Sequence, residues 1–484
     1  MIEWILAPIV IVMVGYLVRH YFFTFQAIFG KPRQLSYLQI AGAYLPKVSI
    51  LIPAHNEENV IGNLLQRMTE LTYPKELLEV VAIDDASTDR TGEIADGYAV
   101  RYPYIKAIHR AENGGFGKVE ALNCGYNFSN GEIVLTFDAD YFPQRDIVEK
   151  LVAPFADPEV GAVQGRVTVV NEEDSIVSKI VALERIGGYR VDQLARDDLA
   201  LLPQYGGTVG GFRRAVLQEV GGWGNSNSPL AEDTDLTCRA ALQGYKVRYM
   251  NDAECYEEAV SGWREYWNQR YRWARGHMQC AISYLGRFLR SDRIGFWGKI
   301  EMTLLLGVYF VPVITLLGWI TGVGVYILGA PGVLPYYFAL LGAATYTSIG
   351  NFAPFFEIGM GTYLDERPRL AWLLPAVIIA FGVNVFCCAK ALADLAVTRI
   401  GRRLEYRWVK TTHRGNNFNN YRNHFNNWNN SHNNNHNNHG RRNNNHLNRR
   451  NHNHRNGYWY NGVNGINGNN GHHYVARRYG EVRE

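Results

Sequence analysis

Cysteine is scarce in this chain, and its spacing excludes a disulfide scaffold. The 484 residues include six cysteines, and no two of them form a C-x-x-C pair. Such a sparse set cannot build a disulfide framework in a chain of this length. We therefore expect reduced thiols in, or facing, the cytosol. Cys387 and Cys388 lie in an apolar run, where the expected role is packing against a neighbouring helix.

An excess of basic charge is missing from most of the chain. The formal net charge is +4, from 49 basic and 45 acidic residues. Residues 416–484 hold nine Arg, no Lys and two Glu, so they contribute +7 and leave −3 for the remainder. This distribution excludes a broadly basic nucleic-acid-binding fold, and we expect no nucleic-acid partner.

Aliphatic side chains are almost absent from the C-terminal tail. Residues 416–470 include 26 Asn, interspersed with Arg, His, Gly and aromatics. This composition buries too little apolar surface to offset the entropy of folding, so we expect residues 416–484 to be disordered. Ten of the 14 His lie at or after His413, but no ligand spacing repeats, which argues against a metal site there.

Long apolar runs lie outside the central part of the chain. The segment from Met1 to about Phe23 lacks the basic start and the small-residue cleavage site of a signal peptide. We therefore expect residues 1–30 to be an uncleaved membrane anchor. Basic residues after it, among them Lys31 and Arg33, place the following domain in the cytosol by the positive-inside rule.

Three later apolar stretches predict about three membrane helices within residues 300–397. They are Met302–Leu328, Leu334–Phe356 and Leu370–Ala396. Each reaches the ~20 residues that span the hydrocarbon core. One anchor plus three spans puts the C-terminus outside, whereas the basic residues after the last span favour the inside. A re-entrant stretch or one that spans twice would reconcile the two. We expect an integral plasma-membrane protein in contact with membrane lipids.

Residues 46–285 alternate between short apolar runs and segments with helical spacing. The predicted strands are Val48–Ile52, Glu79–Ile83, Ile105–His109 and Ile133–Phe137. The predicted helices are Asn59–Met68, Thr88–Tyr98, Lys118–Asn127 and Leu236–Gln243. Buried runs of about five residues separated by helices indicate an α/β fold with a parallel sheet covered on both faces. Ligands of such sheets bind beyond the carboxyl ends of the strands.

Acidic residues follow three of the predicted strands. Glu57 comes after the first, Asp84 and Asp85 after the second, and Asp138-x-Asp140 after the fourth. Each alone is consistent with an ordinary turn or helix cap. Together they would converge in one crevice, where carboxylates repel each other unless a cation neutralises them. Asp138-x-Asp140 offers oxygen ligands suited to Mg²⁺ or Mn²⁺, with a nucleoside diphosphate as the natural partner.

A glycine-rich stretch, Gly114–Lys118, precedes one predicted helix. It is not a P-loop, because Val119 stands where Ser or Thr is required. Lys118 instead opens the helix, where its ammonium could pair with phosphate or with the acidic cluster.

Two later motifs each allow two interpretations. Glu232-Asp233 begins a predicted helix, where paired acids could be simple capping or could provide a general base for an acceptor hydroxyl. Gln269-Arg270-Tyr271-Arg272-Trp273 lies in the helical stretch Trp263–Tyr284. That stretch could be an interfacial amphipathic helix, or its Trp could stack on a sugar while its Arg binds a diphosphate.

Together these residues form a known signature. Asp85, Asp138-x-Asp140, Glu232-Asp233 and Gln269-x-x-Arg272-Trp273 follow the order D, D-x-D, E-D, Q-x-x-R-W. Over residues 46–285 the chain resembles the membrane-embedded family 2 glycosyltransferases with a GT-A (Rossmann-like) fold. Cellulose, chitin, hyaluronan and poly-N-acetylglucosamine synthases share this signature.

The resemblance implies a role for each group. Ala54, Glu57, Asp85, Lys118 and Asp138 would contact the nucleotide. Asp138 and Asp140 would hold Mg²⁺ or Mn²⁺. Asp233 would be the catalytic base beside Glu232, and Gln269, Arg272 and Trp273 would hold the diphosphate and the acceptor sugar. Gly206-Gly207-Thr208 resembles the acceptor-side loop but departs from the Cys-Gly or Ser-Gly forms of some synthases.

The resulting expectation is an inverting transferase that uses a UDP-sugar donor, glucose or N-acetylglucosamine. The leading hypothesis is processive synthesis of a β-linked polysaccharide with translocation across the membrane. The alternative is a single transfer to a membrane lipid, which needs no channel. A third hypothesis is a non-enzymatic scaffold whose tail binds a partner. The sequence leaves open whether an accessory subunit is needed.

Overall fold

We describe a computed structural model of the chain over residues 2–111, 117–224, 230–328 and 353–399. The chain divides into a unit at Met1–Tyr421 and a second unit at Arg422–Glu484. Three sequence-based expectations lie wholly or mostly outside the described residues. They are the disordered tail at 416–484, the apolar stretch Leu334–Phe356 and the start of the glycine-rich stretch at 114–116.

An eight-stranded sheet forms the centre of the described part of the chain. Its strands are β1 (Val48–Ala54), β2 (Leu78–Asp85), β3 (Ile105–Arg110), β4 (Ile133–Thr136), β5 (Phe142–Pro143), β6 (Val160–Val169), β7 (Gly210–Arg213) and β8 (Lys246–Glu257). Their spatial order is β3-β2-β1-β4-β7-β6-β8-β5. The four predicted strands are all present and lie side by side in parallel.

The expectation of a wholly parallel sheet is wrong for the second half. Strand β7 runs antiparallel to both β4 and β6, and β5 runs antiparallel to β8. The sequence Gly210-Gly211-Phe212-Arg213 lacks the apolar run that marks a buried strand, so the pattern of apolar residues did not reveal β7.

Eleven helices accompany the sheet or precede it in the described residues. They are α1 (Ile2–Phe29), α2 (Gln34–Leu38), α3 (Ile61–Thr69), α4 (Thr91–Arg101), α5 (Lys118–Asn127), α6 (Ile147–Val152), α7 (Ile176–Arg185), α8 (Leu194–Asp198), α9 (Arg214–Val220), α10 (Glu232–Leu242) and α11 (Trp263–Arg290). A π-helical segment, Ile186–Gln193, joins α7 directly to α8. Helix α5 has the predicted bounds, and α10 begins four residues earlier than predicted, at Glu232 itself.

Alternate residues of β1 enter the cores on opposite faces of the sheet. Ile50 and Ile52 pack in one hydrophobic cluster, and Leu51 packs in the other with Val81 and Ile83 of β2. All five side chains are fully buried, and each contributes about 1.5–3 kcal/mol by leaving water. The expectation that both faces are covered is confirmed.

Four apolar helices follow α11: α12 (Phe296–Gly307), α13 (Val311–Leu328), α14 (Ala353–Leu364) and α15 (Leu374–Arg399). A 3₁₀ turn at Val308–Phe310 interrupts the stretch that was expected to be one helix. Within the described residues, two segments are long and apolar enough to cross a membrane, Phe296–Ile320 and Pro368–Val397. Length and composition are weak evidence for crossing, so membrane embedding stays a prediction.

The N-terminal helix is fastened to the rest of the unit by buried ion pairs. Arg19 Nη2 of α1 lies 2.6 Å from Asp192 Oδ1 in the π-helical segment and 2.9 Å from Glu301 Oε1 in α12. Arg196 of α8 also pairs with both acids. The same contacts therefore join α1, α12 and the π-helical segment.

Candidate active site

Two tight turns gather the carboxyl ends of β1 and β2. Ala54 is paired with Asp84 in the strand register, so the two strands end together. Asn56 and Ala86, just beyond the ends, have left-handed backbone (φ 55° and 54°). Asn56 Oδ1 accepts a hydrogen bond from Thr88 N at 2.7 Å, which ties the turns to each other. The predicted nucleotide-contacting residue Ala54 therefore stands at this edge of the sheet.

Glu57 lies at the same edge, facing the start of α4. Its backbone N–H donates to Thr91 Oγ1 at 2.7 Å, and Thr91 is the first residue of α4. Asp89 Oδ1 in turn accepts from Thr91 N at 3.0 Å. Asp89 thus fits the helix-capping interpretation of an acidic residue after a strand.

Asp85, at the end of β2, already has a basic partner. Arg110 Nη1 forms an ion pair with Asp85 Oδ1, and Gly117 N donates to Asp85 Oδ2 at 3.0 Å. Both charged side chains are only 8% exposed. The positive charge that the sequence analysis expected among the converging acids is supplied at Asp85 by Arg110. Arg110 was missed, although it faces Asp85 in the β2–β3 register.

Asp84, its neighbour, faces a different partner. His109 Nδ1 lies 3.0 Å from Asp84 Oδ2, and His109 Nε2 lies 3.0 Å from Asp96 Oδ1. Hydrogen bonds to Asp84 and then Asp96 raise the pKa of His109. Asp84 Oδ1 also accepts from Ser87 N at 3.0 Å, so Asp84 stabilises the loop after β2. Its contacts therefore indicate a structural role beside Asp85.

Lys118 brings three parts of the fold together. It opens α5, and its Nζ lies 2.6 Å from Asp138 Oδ1, beyond β4, and 3.9 Å from Glu232 Oε1, at the start of α10. Burial lowers the pKa of Lys118, but Asp138 and Glu232 outweigh it, and the net pKa is raised. The ammonium is therefore a permanent cation at this point, as the sequence predicted.

Asp138 and Asp140 are half-buried after β4. Asp138 N donates to Thr208 Oγ1 at 3.0 Å, and the Asp138 side chain is 29% exposed. No three His, Cys, Asp or Glu side chains in the described ranges are placed to share a metal ion. Mg²⁺ typically takes one or two carboxylates and completes its shell with water and phosphate oxygens. The pair therefore fits a cation held jointly with a diphosphate, and does not fit one held by protein alone.

Glu232 and Asp233 begin α10 and face Lys118. Burial raises the pKa of Glu232, with a further rise from the Asp233 charge. Burial likewise raises the pKa of Asp233, while the hydrogen bond from Thr234 N, at 2.6 Å to Asp233 Oδ1, opposes it. Lys118 and Arg272 lower both pKa values. A carboxyl with a raised pKa, held between two cations, suits a general base.

A loop with a left-handed glycine lies against Asp233. Gly207 has φ +81°, and a Cβ built on it would stand 3.4 Å from Asp233 Cβ and 3.6 Å from Asp233 Oδ2. Tyr205 OH lies 2.5 Å from Thr136 Oγ1 of β4 and fixes this loop. Asp233 Oδ2 therefore faces the loop that resembles an acceptor-side loop.

Helix α11 approaches α10 unusually closely. A Cβ on Gly276 would lie 2.5 Å from Ala231 N, directly before Glu232, so only glycine fits there. This contact brings Arg272 into electrostatic reach of Glu232 and Asp233. The E-D and Q-x-x-R-W motifs are therefore joined by a packing contact between α10 and α11.

Gln269 and Trp273 also lie in α11, on the N-terminal side of Gly276. The Trp273 ring is flanked by the guanidinium carbons of Arg270 at 4.4 Å and Arg185 at 5.3 Å. Gln269 Oε1 is buried and accepts no hydrogen bond from the described part of the chain. Gln269 therefore keeps a carbonyl oxygen for which a ligand would be a suitable partner, whereas the Trp273 ring already contacts two guanidinium groups.

A buried polar cluster beside Trp273 was not foreseen. Arg185 Nε donates to Glu257 Oε1 at 2.6 Å, and Tyr141 OH donates to Glu257 Oε2 at 2.6 Å. Tyr141 directly follows Asp140, so the cluster joins the D-x-D loop to Trp273. Glu257, an acidic residue at the end of β8, could have indicated this cluster. Its partners Tyr141 and Arg185 are far away in sequence, so the cluster was missed.

The site residues thus divide into three groups. Lys118, Asp138, Glu232, Asp233 and Arg272 meet around one charged centre. Asp85 joins it through the hydrogen bond from Gly117, next to Lys118. The remaining predicted residues lie at or just beyond the ends of β1 and β4, or in α11: Ala54, Glu57, Asp140, Gln269 and Trp273.

The family comparison coincides with this part of the chain. A model described as "Glycosyltransferase like family 2" matches residues 46–276, which contain the whole sheet and the site. Residues 46–276, just under half of the chain, are therefore similar to the family 2 glycosyltransferases. The mixed sheet with its charged edge has a GT-A-like glycosyltransferase fold.

Curated relatives and a solved structure agree with this assignment. The chain is similar to the probable glycosyltransferase YdaM of Bacillus subtilis, 38% identical over 251 residues, or 51% of this chain and 59% of that protein. It is also similar to a beta-monoglucosyldiacylglycerol synthase of Synechocystis sp., 33% identical over 270 residues, or 55% of each chain. The match therefore spans less than two thirds of either relative.

The solved structure of the mannosyltransferase PcManGT from Pyrobaculum calidifontis, in complex with GDP-Man and Mn²⁺, has a similar fold. It aligns with a TM-score of 0.50 and 23% identity, over 80% of this chain and 99% of that one. At this identity the likeness establishes the fold alone.

Proposed function

We propose that this protein is an inverting, UDP-sugar-dependent glycosyltransferase that works at the cytosolic face of the plasma membrane. The observation that carries the proposal is the meeting of Lys118 with Asp138, Glu232 and Asp233 at the carboxyl edge of the sheet. The site thus combines a cation between acids with a candidate base that lies beside a loop resembling an acceptor-side loop. Sugar transfer needs these groups.

The donor would bind across the carboxyl ends of β1, β2 and β4. Ala54, Glu57 and Asp85 would contact the nucleoside, and the Arg110 and Gly117 contacts hold Asp85 in place for this. Lys118 and Arg272 would face the diphosphate, which needs positive charge. Gln269 would contribute its buried amide.

Asp138 and Asp140 would hold Mg²⁺ or Mn²⁺ together with the diphosphate oxygens. A divalent cation bound there would act as a Lewis acid that stabilises the leaving diphosphate. The solved mannosyltransferase relative binds GDP-Man with Mn²⁺, which supports a divalent cation and a sugar nucleotide for this fold.

Transfer would follow a single displacement. Asp233 accepts the proton of the acceptor hydroxyl, whose oxygen forms a bond to the anomeric carbon as the bond from that carbon to UDP breaks. Attack from the face opposite the leaving group inverts the configuration, so an α-linked donor gives a β-linked product. Trp273, whose ring contacts Arg270 and Arg185, would lie beside the acceptor sugar.

The acceptor has two candidates, each supported by a different observation. Similarity to synthases named for monoglucosyldiacylglycerol supports a single transfer of glucose to a membrane lipid. The complete Q-x-x-R-W signature supports processive synthesis of a β-linked polysaccharide from UDP-glucose or UDP-N-acetylglucosamine, and that reading stays a prediction. An accessory subunit remains a prediction with it.

Membranes that contain the protein, supplied with radiolabelled UDP-glucose, UDP-N-acetylglucosamine or GDP-mannose and Mg²⁺ or Mn²⁺, test the proposal. Label in a short organic-soluble product indicates lipid glycosylation, and label in long glycosidase-sensitive chains indicates a polymer synthase. Asp233→Asn is the matched control, because it keeps the size of the side chain and removes the base. Equal incorporation by both proteins would refute the assigned chemistry.

A further inference from the structure

A chain of hydrogen bonds runs behind the candidate base. Asp233 Oδ1 accepts from Thr234 N at 2.6 Å, and Thr234 Oγ1 lies 3.3 Å from the same oxygen. The Thr234 hydroxyl also lies 2.6 Å from Gln204 Nε2 and 3.0 Å from His277 Nδ1. The sequence motifs did not include Gln204, Thr234 or His277.

Proton counting around the Thr234 hydroxyl gives only two arrangements. A hydroxyl has one proton to donate and two lone pairs to accept with. The Gln204 amide fills one lone pair, so the proton goes either to Asp233 or to His277. If His277 carries its proton on Nδ1, it fills the second lone pair, and the hydroxyl proton must turn toward Asp233.

The surroundings of Gln204 and His277 hold this arrangement rigidly. Gln204 is clamped by Gln193 of the π-helical segment, whose amide exchanges two hydrogen bonds with the Gln204 backbone at 2.6 and 2.9 Å. The His277 ring packs on Tyr309, with the ring centroids 4.7 Å apart. Burial lowers the pKa of His277 to about 4, so its ring is neutral at cytosolic pH and has one proton to place.

We propose that His277 is a positioning residue for the base, donating from Nδ1 to Thr234 so that the Thr234 hydroxyl donates to Asp233 Oδ1. Two donors then hold Oδ1, and Oδ2 faces Gly207 and the incoming acceptor. This inference rests on the proposed function, since it assigns Asp233 the role of base. It adds a link from the base to Tyr309, in the 3₁₀ turn between α12 and α13.

Paired substitutions separate positioning from packing. In His277→Asn the side-chain amide places an N–H where Nδ1 stands, whereas in His277→Gln the amide lies one carbon further out. We expect His277→Gln and His277→Phe to lower kcat about tenfold with donor KM unchanged, because one orienting hydrogen bond is lost. His277→Asn should keep kcat within about threefold of wild type. Thr234→Ser keeps the hydroxyl and should likewise keep kcat, whereas Thr234→Val removes the hydroxyl and should lower kcat.

The double variant Thr234→Val/His277→Phe should lose no more than Thr234→Val alone, because both act through one hydroxyl. Equal kcat for His277→Phe and wild type, or equal loss in His277→Asn and His277→Gln, would overturn the proposal. Thermal melting of each variant shows whether it is folded.

A second readout does not depend on activity. Solid-state NMR of the full chain with ¹⁵N-labelled imidazole rings, with His277 assigned by its loss in His277→Asn, reports which ring nitrogen is protonated. We expect Nδ1 to be protonated between pH 6 and 8. Protonation on Nε2 would overturn the positioning role even if the enzyme is active. Absence of any sugar transfer by wild type would refute the proposed function separately.

Discussion

Replacing Lys118 by Met removes the cation at the centre of the site. Lys118 Nζ lies 2.6 Å from Asp138 Oδ1, and the two side chains are 24% and 29% exposed. Breaking a fully buried ion pair from one side costs about 3–5 kcal/mol, while exposed pairs contribute 0–1. The partial exposure places the expected loss between these limits, at about 1–3 kcal/mol. This corresponds to a fall in melting temperature of roughly 2–12 °C.

The same substitution should change the pH dependence of transfer. Lys118 lowers the pKa values of Glu232 and Asp233, so its removal lets burial raise them further. The base must be ionised, and the acidic limb of the kcat/KM profile should therefore move to higher pH. Lys118→Arg keeps the charge and is the matched control. A Lys118→Met protein with wild-type melting temperature and an unmoved acidic limb would refute the electrostatic account.

Three further perturbations test neighbouring parts of the site. Glu232→Gln should raise the melting temperature by an amount that grows as the pH rises above 4.5, the ordinary Glu pKa, and levels off above the raised folded-state pKa, because the buried ionised acid is destabilising; a pH-independent difference would contradict this. Arg110→Ala should lower the free energy of unfolding by about 3–5 kcal/mol, because Asp85 stays buried without its basic partner. It should also weaken UDP binding measured by calorimetry, and unchanged binding would contradict the role of Asp85. Gly207→Ala should lower the rate of sugar transfer about tenfold while the protein stays folded, because alanine is strained in the left-handed backbone conformation of this residue.

Much of the fold was accessible from sequence because local patterns determine it. The bounds of α5 were predicted correctly, since Lys118 follows a glycine and Asn127 ends the helical spacing. Strands β1, β2 and β4 carry near-continuous apolar runs, and burial on both faces of a parallel sheet requires such runs. The edge strand β3 includes Lys106 and is mostly half-buried. Strand β7 carries no such run, since two of its four residues are glycines. Its antiparallel position follows from tertiary packing.

Sequence analysis found the site residues that belong to a motif. It missed the residues that contact those motif residues from distant parts of the chain. The resemblance to a known signature grouped Asp138, Glu232 and Arg272, and all three lie around the charged centre. Arg110 and His277 were missed because each contacts a residue far away in sequence, Asp85 at the end of β2 and Thr234 at the start of α10. Only the strand register and the packing of α11 on α10 bring these partners together.

The most direct test of the account is the transfer of radiolabelled sugar from UDP-glucose or UDP-N-acetylglucosamine by purified wild-type protein and Asp233→Asn, with a lipid acceptor supplied. We predict product with wild type and a loss of about 10²–10⁴-fold in the variant, the range expected for removal of a general base. UDP binding should be equal in both. Equal turnover by the two proteins would contradict the assignment of Asp233 as the base.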